Sequence, residues 1–234
     1  MEADPAFVAD VLSVANSALF GFRARIQVLR HAIALLGLDR LRALVITVAM
    51  RSFVGAQGPL HRLAWQHSVS CGMIAEEISP MFRIRGDSAY TAGLLHDVGR
   101  LGLLKSAPAQ YAAVLNRSVE DAERLLRAER ELMEVDHCFA GGWMVKNWAL
   151  PAVFVETCEH HHDPFQPVDS NLLQVVKLSC RLADGMGFPG GCYTHALDYD
   201  AVIDSLPPHI PRHLLPPGGE LQERVRTKLE GFVK

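Results

Sequence analysis

The chain has 234 residues, of which 49% are hydrophobic, and 23 basic and 26 acidic residues leave a net charge of −3. This length allows one large hydrophobic core or two smaller ones, and the absence of a long block of either charge argues against direct binding to nucleic acid. The N-terminus lacks the basic residues of a secretory signal, and no apolar run reaches the roughly 18 residues of a membrane span. We therefore expect a cytoplasmic protein without a membrane partner. Its five cysteines, an odd number with no Cys-x-x-Cys pair, are expected to be reduced.

Helical periodicity dominates the first part of the chain. Asp4-Pro5 predicts an N-cap followed by the first residue of a helix, which ends at Asn16-Ser17. A second helix is predicted to close at Gly37, where glycine is favoured after a helix end, and Asp39 opens a third. The apolar residues on these helices include Val11, Leu12, Leu44 and Val48. No strand pattern is found in this region.

Further helices follow from Pro59 to about residue 190. The first of them runs from Pro59 to about Ser79 and directs His67 inward, on a stripe of apolar residues. Caps and prolines predict the start of the later helices, at Asp87 or Ser88, Pro108, Ser118, Asp136 and about Ser170. The helix from Pro108 is predicted to end at Leu115. The Glu and Arg residues of the helix capped by Ser118 are expected to face solvent, and Trp148 is expected on the inner face of the helix capped by Asp136. After residue 190 we expect loops and one short final helix.

The segment Ala92–Leu101 places an adjacent histidine and aspartate, His96 and Asp97, between an apolar run and a glycine turn. Imidazole nitrogen and carboxylate oxygen are both good metal ligands, and a carboxylate can bridge two ions. A metal site is one interpretation of this pair. The alternative is that Asp97 accepts backbone N–H bonds in the turn and His96 packs beneath it.

Four other helices carry a potential metal ligand on a face whose other residues are apolar or small. These residues are His67, His137, His161 with His162, and Asp184. Each could be an ordinary buried residue with a hydrogen-bond partner, because a polar group on such a face needs one. Five helices that each deliver a ligand favour a shared metal site. The remaining histidines are interpreted as surface or incidental residues: His31, His61, His160, His195, His209 and His213.

This ligand order resembles that of the HD superfamily of metal-dependent phosphohydrolases, in the extended form of its HD-GYP branch. The N-terminal motifs are similar to the opening of an HDOD domain: Asp4-Pro5-Ala6-Phe7, Ala15-Asn16-Ser17-Ala18-Leu19-Phe20-Gly21 and Ala32-Ile33-Ala34-Leu35-Leu36-Gly37. Later motifs that resemble the same family are Gly93-Leu94-Leu95-His96-Asp97-Val98-Gly99, Trp148-Ala149-Leu150-Pro151 and His161-His162-Asp163-Pro164. The resemblance covers residues 4 to about 190.

The resemblance implies an all-α protein in which an N-terminal helical subdomain, 4–55, packs on an HD-like helical bundle, 56–190, before a loop-rich C-terminal extension, 191–234. HDOD proteins are generally bacterial regulatory modules, so it implies a role in signal transduction with a signalling protein, or a receiver or sensor domain, as partner. It also implies a divalent metal, with up to two ions, and mixed His and carboxylate ligands suit Fe, Mn, Zn or Ni. The implied ligands are His67, His96, Asp97, His137, His161, His162 and Asp184.

A second hypothesis is a metal-dependent phosphohydrolase that acts on a nucleotide or phosphodiester. The family mechanism would make Asp97 bridge two ions that activate water, while Arg100 steadies the phosphate. Three departures from the catalytic branch favour regulation: Leu63 stands where a glutamate is expected, Arg100 replaces a lysine, and no Gly-Tyr-Pro follows His162. We therefore expect a regulatory module that does not turn over cyclic dinucleotides.

Overall fold

The computed structural model describes residues 5–17, 26–54, 58–117, 119–191 and 197–230. Within these ranges the chain forms twelve α-helices and no strand, which confirms the predicted all-α fold. The helices are α1 Pro5–Ala15, α2 Leu29–Val54, α3 Pro59–Ile78, α4 Gly86–Leu95, α5 Val98–Ser106, α6 Pro108–Leu115, α7 Ala122–Met133, α8 His137–Asn147, α9 Ala152–His160, α10 Asn171–Gly185, α11 Tyr199–Ser205 and α12 Gly218–Glu230. Short 3-10 helices cover Ser79–Phe82 and Arg212–Leu214.

Helix α1 packs on α2, and the Asn16 side chain fixes the chain that follows α1. The Asn16 amide donates to the Ile26 carbonyl at 2.7 Å and accepts from the Ile26 backbone N–H at 2.6 Å. Gly37 interrupts α2 with φ 73° and ψ 168°, so the predicted break between two helices at this glycine is confirmed. The predicted role of Gly21 in a turn lies outside the described residues.

Helix α3 is central to the bundle and packs on α4, α5, α10 and α12. A Cβ at Gly93 of α4 would lie 2.7 Å from the Cys71 carbonyl oxygen of α3, so only glycine permits this close approach. Helix α8 contacts both α5 and α9. The C-terminal ends of α4 and α9 and the N-terminal end of α8 thus come together near His67, in the middle of α3.

One hydrophobic core extends from Val11 in α1 to Leu229 in α12. Helix α2 joins it through α4, where the hydroxyl groups of Thr47 and Tyr90 lie 3.1 Å apart in a buried contact. Core residues therefore come from all three predicted segments. The boundaries near residues 55 and 190 stay predictions. Among the described helices, none combines the length and apolar character needed to cross a bilayer.

Several predicted helix ends are confirmed, and others are corrected. Helices begin at Pro59 and Pro108 as predicted, and Asp136 and Ser170 cap α8 and α10 through side-chain hydrogen bonds. Helix α7 is capped by Asp121, whereas Ser118 lies outside the described residues. Helix α4 begins at Gly86, so Asp87 lies in its first turn. The segment after residue 190 contains α11 as well as the predicted final helix.

Two predicted side-chain environments are wrong. His61 is buried, because neighbouring helices enclose α3 on most of its faces. Trp148 is 42% exposed, because α8 ends at Asn147 and the indole that follows lies edge-on to Phe53.

Candidate metal centre

His96 and Asp97 lie at the junction of two helices. His96 follows the last residue of α4, and Asp97 precedes the first residue of α5. A Cβ at Gly99 would overlap the carbonyl oxygen of His137, so this glycine lets α5 and α8 approach closely. The approach brings the Nε2 atom of His137 to 3.2 Å from Oδ1 of Asp97.

Four buried imidazoles surround Asp97, and each has its Nδ1 atom engaged by a hydrogen-bond acceptor. The pairs are His67 with the Phe188 carbonyl at 2.7 Å, His96 with the Gly93 carbonyl at 2.6 Å, His161 with the Cys158 carbonyl at 2.9 Å and His137 with the Glu129 carboxylate at 2.7 Å. A carbonyl or carboxylate only accepts, so Nδ1 carries the proton in each ring. In the neutral form this leaves the Nε2 lone pair for a metal, as is usual for metal-binding histidines.

The Nε2 atoms of His67 and His161, like that of His137, lie close to the carboxylate of Asp97. His67 Nε2 lies 3.8 Å from Oδ2, and His161 Nε2 lies 3.6 Å from Oδ1. Oδ1 of Asp97 and the Nε2 atoms of His96 and His161 are buried and make no hydrogen bond. The donor atoms of His96, Asp97 and His161 all lie within 4.8 Å of one another. Orphaned buried acceptors are costly, and a divalent cation would satisfy all of them at once.

Arg100 is buried within this cluster. Its Nε lies 2.5 Å from Asp97 Oδ2, and Nη1 donates to the Gly190 carbonyl at 2.9 Å. Nη2 lies 3.2 Å from His137 Nε2 and 3.4 Å from His162 Nε2. The guanidinium therefore supplies a positive charge to one side of Asp97, among the donor atoms that would otherwise surround a second ion.

Asp184 lies next to this cluster but on the other side of one imidazole. Its Oδ1 is 3.7 Å from Nδ1 of His67 and accepts from the backbone N–H of Gly190 at 2.8 Å. Burial and the neighbouring Cys180 raise the pKa of Asp184 to about 7. Its carboxylate thus supports the protonated edge of His67, away from the Nε2 lone pair.

The electrostatics of the centre favour a bound cation. Although burial lowers the pKa of His67, the hydrogen bond and charge of Cys180 raise it to about 9. Burial and Arg100 lower the pKa of His137, yet neighbouring acidic groups raise it to about 9. Burial alone would raise the pKa of Asp97, but Arg100 and His137 hold it well below its usual range. The same charges that attract protons to the imidazoles would attract a metal ion in their place.

Glu129 of α7 is a site residue that the sequence interpretation missed, because all Glu residues of this helix were assigned to a solvated face. It is fully buried, accepts from the His137 backbone N–H at 2.9 Å and receives the Tyr111 hydroxyl at 2.7 Å. Burial raises its pKa, but His137 and Arg100 lower it to about 2. The sequence did contain a signal for this burial: Glu129 lies four residues after the buried Leu125, and residues four apart lie on the same face of a helix.

Other missed contributors are Cys71, Cys180 and the segment after α10. Cys71 and Cys180 approach the Nε2 atom of His67. The carbonyls of Phe188 and Gly190 hold His67 and Arg100, so this Gly-Phe-Pro-Gly segment covers the centre. A cavity of about 310 Å³ reaches the centre beside His162.

Comparison with known proteins places this arrangement in a family. An uncharacterized protein of Treponema pallidum (strain Nichols) is 23% identical over 193 residues, which are 78% of this chain and 37% of the relative; the chain thus spans little more than a third of that relative's length. An HDOD domain protein of unknown function from Geobacter sulfurreducens is 26% identical, with a TM-score of 0.70 over 97% of this chain and 74% of that one. A proposed signal transduction protein from Marinobacter aquaeolei VT8 shares the fold, with 21% identity and a TM-score of 0.72 over 98% of this chain and 52% of that one. The HDOD domain model matches residues 1–164, and the chain therefore belongs to the HDOD domain family.

Proposed function

We propose that this chain is a regulatory module of signal transduction that binds a divalent metal ion in its helical bundle. The metal is supported by one observation: His67, His137 and His161, whose Nδ1 atoms are engaged by acceptors, place their Nε2 atoms 3.2–3.8 Å from one buried carboxylate, Asp97. Ligands gathered from α3, α4, α8 and α9 tie the packing of these helices to the ion. The signal transduction assignment carried by the structurally similar Marinobacter protein agrees with this proposal.

Arg100 supports regulation over hydrolysis. A two-ion hydrolase needs both ions beside the bridging carboxylate, and here a guanidinium contacts Asp97, His137 and His162 on one side. Leu63 is half exposed and offers no ligand, and Asp184 lies at the wrong edge of His67 to complete a second set. A bound ion would supply Lewis acidity, but the protein groups present favour one ion held for structure or sensing.

The second hypothesis, a phosphohydrolase, is favoured by the cavity beside the centre. His162, Asp184 and Arg181 line it, so a small phosphate-containing ligand such as a nucleotide or phosphodiester could approach the centre. The test is to load the protein with Mn, Fe or Zn without oxygen and to follow cyclic dinucleotides, mononucleotides and a chromogenic phosphodiester. We expect no multiple turnover of a natural nucleotide. Turnover that Asp97→Ala abolishes would make the chain an enzyme.

Metal content tests the main proposal. Protein purified without an affinity tag or added metal is compared by elemental analysis with Asp97→Ala. We expect bound metal in the wild type and its loss in the variant. Asp163→Ala is the matched control, because Asp163 also pairs with a histidine, His160 at 2.8 Å, but at an exposed position. A folded wild type that contains no metal and takes none up would contradict the proposal.

Signalling requires that the state of the centre reach a surface that a partner contacts. Helix α4 leads directly into His96, and its Tyr90 contacts Thr47 of α2 in the N-terminal segment. We propose that metal binding alters the packing of α2 on α4, and that a signalling protein or an attached receiver or sensor domain responds to it. Hydrogen exchange should show slower exchange in 41–50 after metal is added. Unchanged exchange there, with metal bound, would contradict this path.

A further inference from the structure

A second group of metal-binding atoms lies beside the Asp97 centre. It consists of two thiols and two imidazoles: Cys71, Cys180, His67 and His96. All four residues are buried, and their donor atoms lie within 4.8 Å of one another. Cys71 follows His67 by one turn of α3, so both point to the same side of that helix, and Cys180 comes from α10, which packs on α3.

The distances within this group match those of four-coordinate zinc. With zinc–sulfur and zinc–nitrogen bonds of about 2.3 and 2.0–2.1 Å, a tetrahedral ion separates sulfur from nitrogen by about 3.6 Å. The Sγ atoms of Cys71 and Cys180 lie 3.5 and 3.7 Å from Nε2 of His67. The Nδ1 protons of His67 and His96 are donated to backbone carbonyls, so both Nε2 lone pairs are available.

We propose that the ion is held as a Cys₂His₂ site by Cys71, Cys180, His67 and His96, and that the thiolates select zinc over Mn or Mg. The inference rests on the metal centre proposed above and revises its ligands: the two thiolates join His67 and His96, and Asp97 compensates Arg100 instead of binding the ion. Asp97→Ala would still weaken metal binding, because it leaves the guanidinium uncompensated beside the cation. Each cysteine binds as its thiolate and each histidine as the neutral imidazole, so binding releases to solvent any proton held at the four donor atoms and forms two metal–sulfur and two metal–nitrogen bonds. Soft thiolate ligands favour zinc, and a closed set of four protein ligands is typical of structural sites.

Charge balance supports this position for the ion. Two thiolates neutralise a divalent cation, and Arg100 independently neutralises Asp97 through the 2.5 Å contact. The buried charges then cancel in two separate sets, the cation with the two thiolates and Arg100 with Asp97. A buried charge without such compensation would be strongly unfavourable.

Cobalt is the probe for the test, because a thiolate bound to Co²⁺ gives intense charge-transfer absorption in the near ultraviolet. The reduced protein, residues 1–234, is titrated with Co²⁺ without oxygen, and zinc is then added to displace it. We expect thiolate charge transfer in the wild type, weakened by Cys71→Ser and by Cys180→Ser. Cys158→Ser, which removes a buried thiol outside this group, should keep the spectrum.

The outcomes separate this inference from the proposed function. Co²⁺ binding without thiolate charge transfer, lost in Asp97→Ala, would overturn the Cys₂His₂ site and leave the metal centre standing. No Co²⁺ binding would overturn both. X-ray absorption of the zinc-loaded wild type avoids reliance on variants that fail to fold: sulfur neighbours at about 2.3 Å support the site. A shell of nitrogen and oxygen alone would overturn it.

Discussion

Replacing Arg100 by methionine should destabilise the metal-free protein strongly. The substitution keeps the apolar stem but removes the charge that lies 2.5 Å from Asp97. At an effective dielectric constant of about 20, Coulomb attraction at this distance is roughly 7 kcal/mol. Desolvation offsets part of it, and breaking a buried pair typically costs about 3–5 kcal/mol. For a chain of this size, each kcal/mol lowers Tm by about 2–4 °C, so we expect a decrease of roughly 6–20 °C.

A divalent ion should reverse much of that loss, because it replaces the missing positive charge beside Asp97. The assay is thermal unfolding of chelator-treated protein, with and without added Zn²⁺ or Mn²⁺, together with a count of bound ions. We expect metal to stabilise Arg100→Met more than the wild type, and the variant to bind one additional ion. Arg40→Met is the matched control: Arg40 contacts Glu76 at 2.9 Å but is 51% exposed, so its loss should change stability by less than about 1 kcal/mol.

Two results would refute this interpretation of Arg100. One is a metal-free Arg100→Met protein as stable as the wild type, since the guanidinium would then not be compensating Asp97. The other is a destabilised variant that binds no more metal than the wild type and gains no more stability from it. That result would show that Arg100 does not occupy the position of a second ion.

Three further changes test the surrounding structure. Gly99→Ala should force α5 away from the His137 carbonyl, which would lower stability by about 1–3 kcal/mol and weaken metal uptake. Unchanged metal uptake in calorimetry would show that the close approach of α5 and α8 does not position the ligands. Asn16→Ala leaves the Ile26 backbone N–H and carbonyl without their side-chain partner, so the free energy of unfolding measured by chemical denaturation should fall by about 1–3 kcal/mol. A loss below about 0.5 kcal/mol would show that water replaces the Asn16 amide. The pKa of Glu129 is lowered from 4.5 to about 2, so its contribution of roughly 3 kcal/mol to the free energy of unfolding is present above pH 4.5 and is lost as pH falls towards 2. The stability of metal-free Glu129→Gln should therefore decline less steeply than that of the wild type over this range. An identical dependence of stability on pH in the two proteins would contradict the assignment.

Local sequence signals determined the helices and the inward direction of most metal-binding candidates. His67 and His137 are single polar residues within apolar helical stripes, and a periodicity of 3.6 residues is enough to place them on the inner face. His96 and Asp97 follow an apolar run directly, so their burial at a helix junction could also be predicted. Gly37 predicted the break in α2 because few other residues adopt a positive φ.

Which donor atoms meet was decided only by the tertiary structure. Cys180 and Asp184 are one turn apart on α10, so periodicity gives them the same face, yet the packing of α10 on α3 places the thiol at Nε2 of His67 and the carboxylate at Nδ1. From the sequence alone, Arg100 could bind a phosphate or neutralise a buried carboxylate, because its charge suits both roles. Only its 2.5 Å contact with Asp97 distinguishes them. Such choices depend on distances of a few ångströms between helices far apart in sequence, and these distances follow from the packing of the whole core.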